Sequence, residues 1–552
     1  MLKSPENTNC YEYLKNCTSI YGDVYMMQHF GVKYYKSKIY KDMDALASYF
    51  QNELGLKRGD VYTIYMPTTM QSIIAFYALN KIGVIVSFVH PLMSGEFLKE
   101  QIDFVGSKGI MVLDLLAKKH IDEINQIGLP CLVCSSSDYS NGLKRAGNRF
   151  GECLLKFGKK YKNCTSYRKA IKCKEPVEAV HNNGDDLAVY LNGGGTTGKA
   201  KTIKLTSKAI NELVYRVSDL DEIHDPGNEA EIIVLPQFHC FGLCVAIHMA
   251  LCNSGRIIPM MQFDQRIFIK LMKTEKVVGV VGIPLMFQKL MENKDFDGPH
   301  LKNIRLMFCG GDDVTDEFLD EFNSYFEKWG AVGRLRQGYG FTEIASVCCT
   351  NTNNDYKKGT IGKALRGVEV QIWDDNNNQV PNGEVGEIVV SGPTLMEGYY
   401  CETGEENLGL YIDENGKKWV KSGDLGFKDD DDFYHFCGRK KRVIIIAGYN
   451  VYPTDIEKVV GSLPQTKICC AVEGKKNDRR IVRLYIQAKP DTDEEAMKKE
   501  IEAVCEENFS KFYVPYDIIF MDKMPITPLM KVDFMKLQNA DPEELRQNRK
   551  LS

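Results

Sequence analysis

Along most of the chain, short runs of β-branched and aromatic residues alternate with stretches whose apolar positions recur every three to four residues. "GDVYTIYMP" (59–67) reads as a strand, "MQSIIAFYALNKIG" (70–83) as an amphipathic helix and "GVIVSFVHP" (83–91) as the next strand. Repetition of that order predicts largely parallel sheets covered by helices. Further on, "TIKLT" (202–206) alternates as a strand, and Ser207 is read as the N-cap of a helix with Ile210, Leu213, Val214 and Val217 on one face. The glycine-rich segment before it is therefore expected to join two strands.

From Gly359 to Gly392 the pattern changes to short β-like pieces separated by turns, as in "GVEVQIWDDNNNQVPNGEVGEIVVSG" (367–392), which predicts a smaller β-rich unit. The polar cluster "FKDDDDFYHFCGRKKR" (427–442) marks a boundary near residue 438, its four aspartates 429–432 reading as a solvated turn. Beyond it "YPTDIEKVV", "TKICCAV", "RIVRLYIQAK" and "DTDEEAMKKEIEAVCEENF" read as helix, strand, strand, helix, with Thr492 and Glu495 as a capping box ahead of Met497, Ile501 and Val504. The fold class expected is α/β: a large N-terminal domain (1–438) with two α/β sheet subdomains and a β-rich one, followed by a small α+β C-terminal domain (439–552).

A chain of 552 residues exceeds the size at which one core stops growing, which agrees with that division. The 70 basic and 74 acidic side chains leave no basic excess to attract nucleic acid. The N-terminal stretch lacks an apolar signal region, and the longest apolar run, "VVGVVGIPLMF" (277–287), is too short to span a bilayer, so the expectation is a cytoplasmic protein without a transmembrane segment. Many of the 18 cysteines sit inside apolar runs and are read as reduced, buried small hydrophobes. The CxxC of Cys131 and Cys134 has no second pair at zinc-site spacing and reads as part of a buried strand.

The segment "YLNGGGTTGKAKTIKLT" (190–206) comes within one residue of a P-loop: Gly193, Gly198 and Lys199 fit, but Ala200 stands where a Ser or Thr would hold magnesium. A P-loop also runs directly into a helix, and this segment runs into a strand. Gly193, Gly194, Gly195 and Gly198 still allow backbone N–H groups to approach an anion, Thr196 and Thr197 add hydroxyls, and Lys199 or Lys201 adds charge. On these residues alone the choice lies between a phosphate cradle and an ordinary glycine-rich hairpin.

"GGGTTGKAK" resembles the phosphate loop of the adenylate-forming superfamily, with Ala200 at that family's usual proline. The family's other motifs are matched in order by "LPQFHCFGL" (235–243), "FCGGDDV" (308–314), "QGYGFTE" (337–343), "GEVGEI" (383–388), "WVKSGDLG" (419–426), "GRKKR" with "AGYNVYPTDIE" (438–457), and "PITPLMK" (525–531). The resemblance implies an AMP-forming acyl-CoA ligase that uses ATP, Mg²⁺ and coenzyme A on a small-molecule carboxylic acid. It assigns Lys531 to bridge carboxylate and α-phosphate, although Met530 stands at the usual glycine. Thr342 is then a donor to the α-phosphate, Glu343 the Mg²⁺ ligand, and Tyr339 between its glycines, Gly340 among them, a face for adenine. Asp424 and Arg439 become the ribose contacts, Gly311 part of the nucleotide loop, and His239 a gate between the carboxylate and a thiol tunnel. Lys441 would be the hinge, and Gly448 and Tyr449 would line a pantetheine channel.

His239 takes a place where amino-acid-activating relatives usually carry Asp, which argues against an amino-acid substrate. The apolar runs "VVGVVGIPLMF" and "FHCFGL", expected near the acyl pocket, favour a fatty acid, with aryl acids open. Two alternatives remain: an enzyme loading an acyl carrier protein in trans, and a non-catalytic nucleotide-binding relative. A luciferase-like oxygenase is a lesser one. Asp312 and Asp313 replace residues that are commonly small or apolar in this family's loop.

Overall fold

The computed structural model describes residues 2–140, 161–193, 201–220, 223–312, 314–352, 355–401, 409–447, 449–476, 479–527, 531–542 and 545. Among them two large sheets dominate. The first runs, in spatial order, Lys363–Ala364, Cys349–Thr350, Leu335–Tyr339, Leu306–Cys309, Lys276–Gly282, Glu229–Ile233, Arg256–Pro259, Tyr25–His29 and Val32–Tyr35, and is parallel from Leu335–Tyr339 to Tyr25–His29. From Glu229–Ile233 the chain moves one way to Arg256–Pro259 and then back across to Lys276–Gly282. That reversal opens a crevice beyond the strands' carboxyl ends, where open α/β sheets bind ligands.

The second sheet orders Gly398–Tyr399, Thr202–Thr206, Leu187–Asn192, Ile85–Phe88, Val61–Tyr65, Ser107–Leu113, Cys131–Cys134 and Cys164–Ser166. Leu187–Asn192 and Thr202–Thr206 pair antiparallel with Asn192 opposite Thr202, and Gly193 N–H donates to Lys201 O at 2.9 Å. The glycine-rich segment therefore joins two strands, as its flanking alternation predicts. The CxxC is a buried strand with both cysteines free.

The β-rich unit is an antiparallel sheet of Glu369–Trp373, Gly386–Ser391, Lys418–Lys428 and Leu410–Ile412, with Tyr434–Arg439 paired to Lys418–Lys428. Beyond it, helix Pro453–Gly461 and helix Glu494–Asn508 cover a three-stranded sheet of Thr466–Lys476, Arg479–Ala488 and Asp517–Phe520. This last unit has its own core, including Val451, Ile456, Leu484, Ile486 and Ile501. The architecture is thus the two-part α/β arrangement expected. No helix among the described residues is long and apolar enough to cross a membrane.

Three local expectations are corrected. Helix Met70–Lys81 is buried from Met70 through Asn80, not amphipathic, because it lies under helices Cys10–Thr18 and Lys36–Ser48 as well as on the sheet. Helix Ser207–Val217 is capped by Thr206, whose Oγ1 accepts from Ala209 N–H, while Ser207 is buried inside the first turn. Helix Glu494–Asn508 is capped by Asp493, which accepts from Glu495 and Ala496 N–H. Thr492 donates to Lys489 O instead, and a carboxylate at the positive helix end outcompetes a hydroxyl for the same amides. Among the described cysteines all are free and most are buried, but Cys164 and Cys401 are exposed.

The segment that follows the crevice loop, Phe241–Met249, is anchored by a buried polar network. Asn211 uses its amide N–H on Thr8 O at 2.9 Å, so its Oδ1 accepts from His248 Nε2 at 2.9 Å, leaving His248 Nδ1 to accept from Tyr77 O–H at 2.9 Å. Burial lowers the His248 pKa to about 3, which keeps this tautomer neutral. His248→Leu strands a buried hydroxyl and a buried amide oxygen and is expected to lower stability by about 3 kcal/mol, read as a lower urea midpoint.

Candidate active site

Three loops at the carboxyl ends of the first sheet build the crevice. Strand Leu306–Cys309 runs into Gly310, Gly311 at φ +86 and Asp312. Strand Leu335–Tyr339 runs through Gly340 into a short 3-10 turn, Thr342–Ile344. A Cβ on Gly340 would lie 1.7 Å from Ser346 O, so only glycine lets Tyr339 and Thr342 sit on consecutive bends. The third loop leads from Glu229–Ile233 to His239. It folds back so tightly that a Cβ on Gly242 would meet Pro236 O at 2.0 Å.

Asp424 is 2% exposed. Its Oδ2 accepts from Tyr339 O–H at 2.7 Å, and its Oδ1 lies 2.9 Å from Arg439 Nε without hydrogen-bond alignment and without another partner among the described residues. The register that puts Asp424 opposite Arg439 on adjacent strands fixes this pair. Burial pushes the Asp424 carboxyl above its usual range, against the pull of Arg439, Tyr339 and Lys531. A buried carboxylate with one poorly satisfied oxygen suits a ligand that donates hydroxyl hydrogens.

Lys531, from the far end of the chain, is half-buried in the same crevice. Burial lowers its pKa, Asp312 opposes that most, Arg439 adds to it and Asp424 opposes it. Asp312 therefore faces Lys531, while Asp313 lies outside the described residues. His239 is held by its N–H to Pro236 O at 3.1 Å, and its Nδ1 accepts from Phe241 N–H at 3.3 Å. Burial, with the nearby Lys531 charge, lowers its pKa to about 4, so the imidazole is neutral at pH 7. Thr342 Oγ1 receives the Cys240 thiol at 3.4 Å. Glu343 Oε1 accepts from Tyr399 O–H at 2.9 Å, and Lys201 Nζ lies 4.3 Å from the Tyr399 ring centre.

The sequence-selected Lys531, His239, Thr342, Glu343, Gly311, Tyr339, Gly340, Asp424, Arg439 and Lys201 thus gather around one crevice. Lys441 and Tyr449 do not contact these groups: Lys441 is exposed in the turn Lys440–Arg442, and Tyr449 is 59% exposed and stacked on Phe512 at 4.6 Å. Gly194, Gly195, Thr196, Thr197, Gly198 and Gly448 lie outside the described residues, as do Lys199 and Met530.

Two hollows adjoin the crevice. One, a cavity of ≈ 180 Å³, is lined by Thr315, Gln337, Thr360, Ile361, Phe436 and Lys458 among others. Gln337 stands in the "QGYGFTE" motif but was not singled out from the sequence. Phe436, whose ring centre is 5.9 Å from that of Tyr339, carries no signal beyond strand alternation toward Arg439. The second, a cavity of only ≈ 20 Å³, is lined by Val217, Leu220, Phe241, Val245, Phe308 and Val347 among others. Phe241 belongs to the expected "FHCFGL" run. The run Val277–Phe287 contributes instead to the sheet and the core beneath helix Asp316–Trp329, because it forms a central strand and the start of a packed helix.

Because His239 has a folded pKa well below the free imidazole value of 6.5, the unfolded chain binds the extra proton first. Its contribution to stability is complete above pH 6.5 and is lost as pH falls through that value toward about 4. Replacing Lys531 with Met removes one of the two causes and is expected to raise the His239 pKa while burial keeps it below 6.5, as read by NMR titration of ¹³C-labelled histidine.

The family model described as AMP-binding enzyme matches residues 32–400. The chain is 26% identical over 502 residues to a long-chain-fatty-acid–CoA ligase of Escherichia coli O6:H1, covering 88% of this chain and 86% of that one. It is 26% identical over 447 residues to a probable 4-coumarate–CoA ligase 3 of Dictyostelium discoideum, covering 77% and 76%. Its fold is similar to that of ATP-bound MatB from Rhodopseudomonas palustris, with a TM-score of 0.80, 20% identity and coverage of 96% and 98%. A benzoate CoA ligase from Burkholderia xenovorans gives a TM-score of 0.79 at 18% identity, covering 96% and 100%. With the motifs gathered at one crevice and two-thirds of its length matched by one family model, this chain belongs to the AMP-binding enzyme family.

Proposed function

We propose that this protein is an ATP-dependent acid–thiol ligase that converts a carboxylic acid, a fatty acid in our reading, into an acyl-adenylate and then transfers the acyl group to coenzyme A. The observation that carries the proposal is the convergence of Lys531, Arg439, Asp424 and neutral His239 beyond the carboxyl ends of the parallel strands. Both reactants of the first step are anions, so the barrier is governed by cations placed where charge develops on the α-phosphorus. Lys531 supplies one, and its depressed pKa reflects an ammonium poorly solvated before the anions arrive. His239, uncharged at neutral pH, shapes the acid's path without adding a second cation, which leaves Lys531 to orient the carboxylate. Thr342 offers a hydroxyl beside the reacting phosphate. Asp424 and Arg439 hold the ribose, with the base set against Tyr339 and Phe436 near Gln337.

Glu343 fits a magnesium ligand. It is a single carboxylate whose Oε2 has no hydrogen-bond partner among the described residues, and a hard cation carried on phosphates takes only one or two protein carboxylates. A divalent cation held by Glu343 would supply positive charge to the triphosphate. The hollow behind Phe241 is too small in this arrangement to hold an acyl chain, but its walls, Val217, Leu220, Val245, Phe308 and Val347, are apolar, which favours an alkyl group over a polar one at that point. The long-chain-fatty-acid–CoA ligase relatives support the same choice.

The division of labour proposed is an adenylation domain over 1–438 and a mobile domain over 439–552. Lys441, exposed in the turn after the last strand of the β-rich sheet, is the pivot. Rotation there would withdraw Lys531 and bring Gly448 and Tyr449 toward the site to line the thiol's channel. The exposed Tyr449 side chain is consistent with a surface waiting for a second arrangement.

The function is tested by a screen of carboxylic acids for pyrophosphate release with and without coenzyme A. Saturated fatty acids are expected to be turned over, and Lys531→Ala to slow adenylate formation by about 10²-fold or more while nucleotide binding persists. No exchange of labelled pyrophosphate into ATP with any acid would end the proposal. Lys441→Pro is expected to spare adenylate formation and abolish thioester formation, and equal loss of both half-reactions would exclude a pivot at 441.

A further inference from the structure

Tyr399 lies outside every motif that drew attention in the sequence, yet it touches two of the site's charged groups. It sits on the short strand Gly398–Tyr399, which pairs with Thr202–Thr206, the strand that leaves the glycine-rich segment, with Tyr399 opposite Ile203. Flanking bonds from Glu397 N–H to Lys204 O at 2.9 Å and from Tyr400 N–H to Thr202 O at 2.8 Å lock that register. The segment before it is tied to the other side of the crevice, since Met396 N–H donates to Glu343 O at 2.8 Å. The Tyr399 backbone thus joins the second sheet to the turn that carries Thr342 and Glu343.

The side chain repeats the connection. Its hydroxyl donates to Glu343 Oε1 at 2.9 Å, and its ring face lies 4.3 Å from the Lys201 ammonium, within cation–π range. The ring also needs Gly409: a Cβ there, on a backbone at φ +63, would come 2.1 Å from Tyr399 Cε2. Against an acceptor-only carboxylate oxygen the phenol hydroxyl is the donor. One carboxylate oxygen is therefore oriented by a fixed donor, while the other has no protein partner among the described residues.

We propose that Tyr399 is a positioning residue that aims the free oxygen of Glu343 at the divalent cation and holds the Lys201 ammonium at a set distance from it. The assignment rests on the reading of Glu343 as a metal ligand. Its chemistry is that of an outer partner fixing the orientation of an inner carboxylate, where removal costs about 10- to 100-fold in metal affinity. The ring holds Lys201 through its π face, a separable contribution that Phe preserves and Leu does not.

The test uses the full-length protein and Mn²⁺ with a non-hydrolysable ATP analogue, followed by calorimetry and by the Mn²⁺ paramagnetic resonance signal. Tyr399→Phe is expected to melt as the wild type does, to bind Mn²⁺ about 10-fold more weakly, and to recover adenylate formation as Mg²⁺ is raised. Tyr399→Leu is expected to lose nucleotide affinity in addition, at saturating metal. Glu343→Gln serves as the reference, expected to lose Mn²⁺ outright. Unchanged Mn²⁺ affinity in Tyr399→Phe beside loss in Glu343→Gln overturns the positioning role alone. Unchanged affinity in both overturns the metal assignment beneath it, and the role of Tyr399 with it.

Discussion

A carboxylate taken out of water between a phenol and a guanidinium fixes the geometry of this site. Asp424 is nearly sealed from solvent, and such a group persists only with charged or hydrogen-bonding partners around it. Tyr339 and Arg439 provide them from two different elements, the end of a parallel strand and the end of an antiparallel one. The pairing therefore sets the distance between the large parallel sheet and the β-rich sheet. Oδ1 of Asp424 is left with the Arg439 ion pair and no hydrogen bond among the described residues, so on the proposed reading a sugar hydroxyl would complete it.

Around that pair, cations and anions are arranged in opposition. Arg439 lies close enough to disfavour the charge on Lys531, and Asp312 and Asp424 oppose that effect. His239 answers the same field by remaining neutral. Asp312 departs from the small residues usual at its place, and its proximity to Lys531 gives the departure a physical role: it offsets the cost of burying an ammonium before any phosphate is present.

Much of this was legible in the chain. The strand after the glycine-rich segment was visible because "TIKLT" alternates and its apolar side faces one core, and the ordered motifs located the crevice residues that the loops bring together. What escaped notice escaped for identifiable reasons. Helix Met70–Lys81 looks one-sided in sequence, and only its burial under two further helices shows why polar positions such as Gln71 and Ser72 are also enclosed. The cap at Asp493 rather than Thr492 is a competition between adjacent acceptors that spacing does not decide. Phe436, Gln337 and Tyr399 reach the site through tertiary pairing, Tyr399 on a two-residue strand too short to leave a periodic signal. The run Val277–Phe287 misled because hydrophobicity marks burial, and burial in a sheet's centre and burial around a ligand have the same composition.

The rung that joins Asp424 to Arg439 is the final one of its strand, and the chain turns into a tight 3-10 bend immediately afterwards, at Lys440–Arg442. Any swivel of the distal lobe about that bend leaves the rung intact. Under the proposed two-step reaction, an acyl-adenylate held by its sugar at this rung would stay moored while the machinery around its reactive end is replaced, so a labile mixed anhydride would not be released into water between the half-reactions.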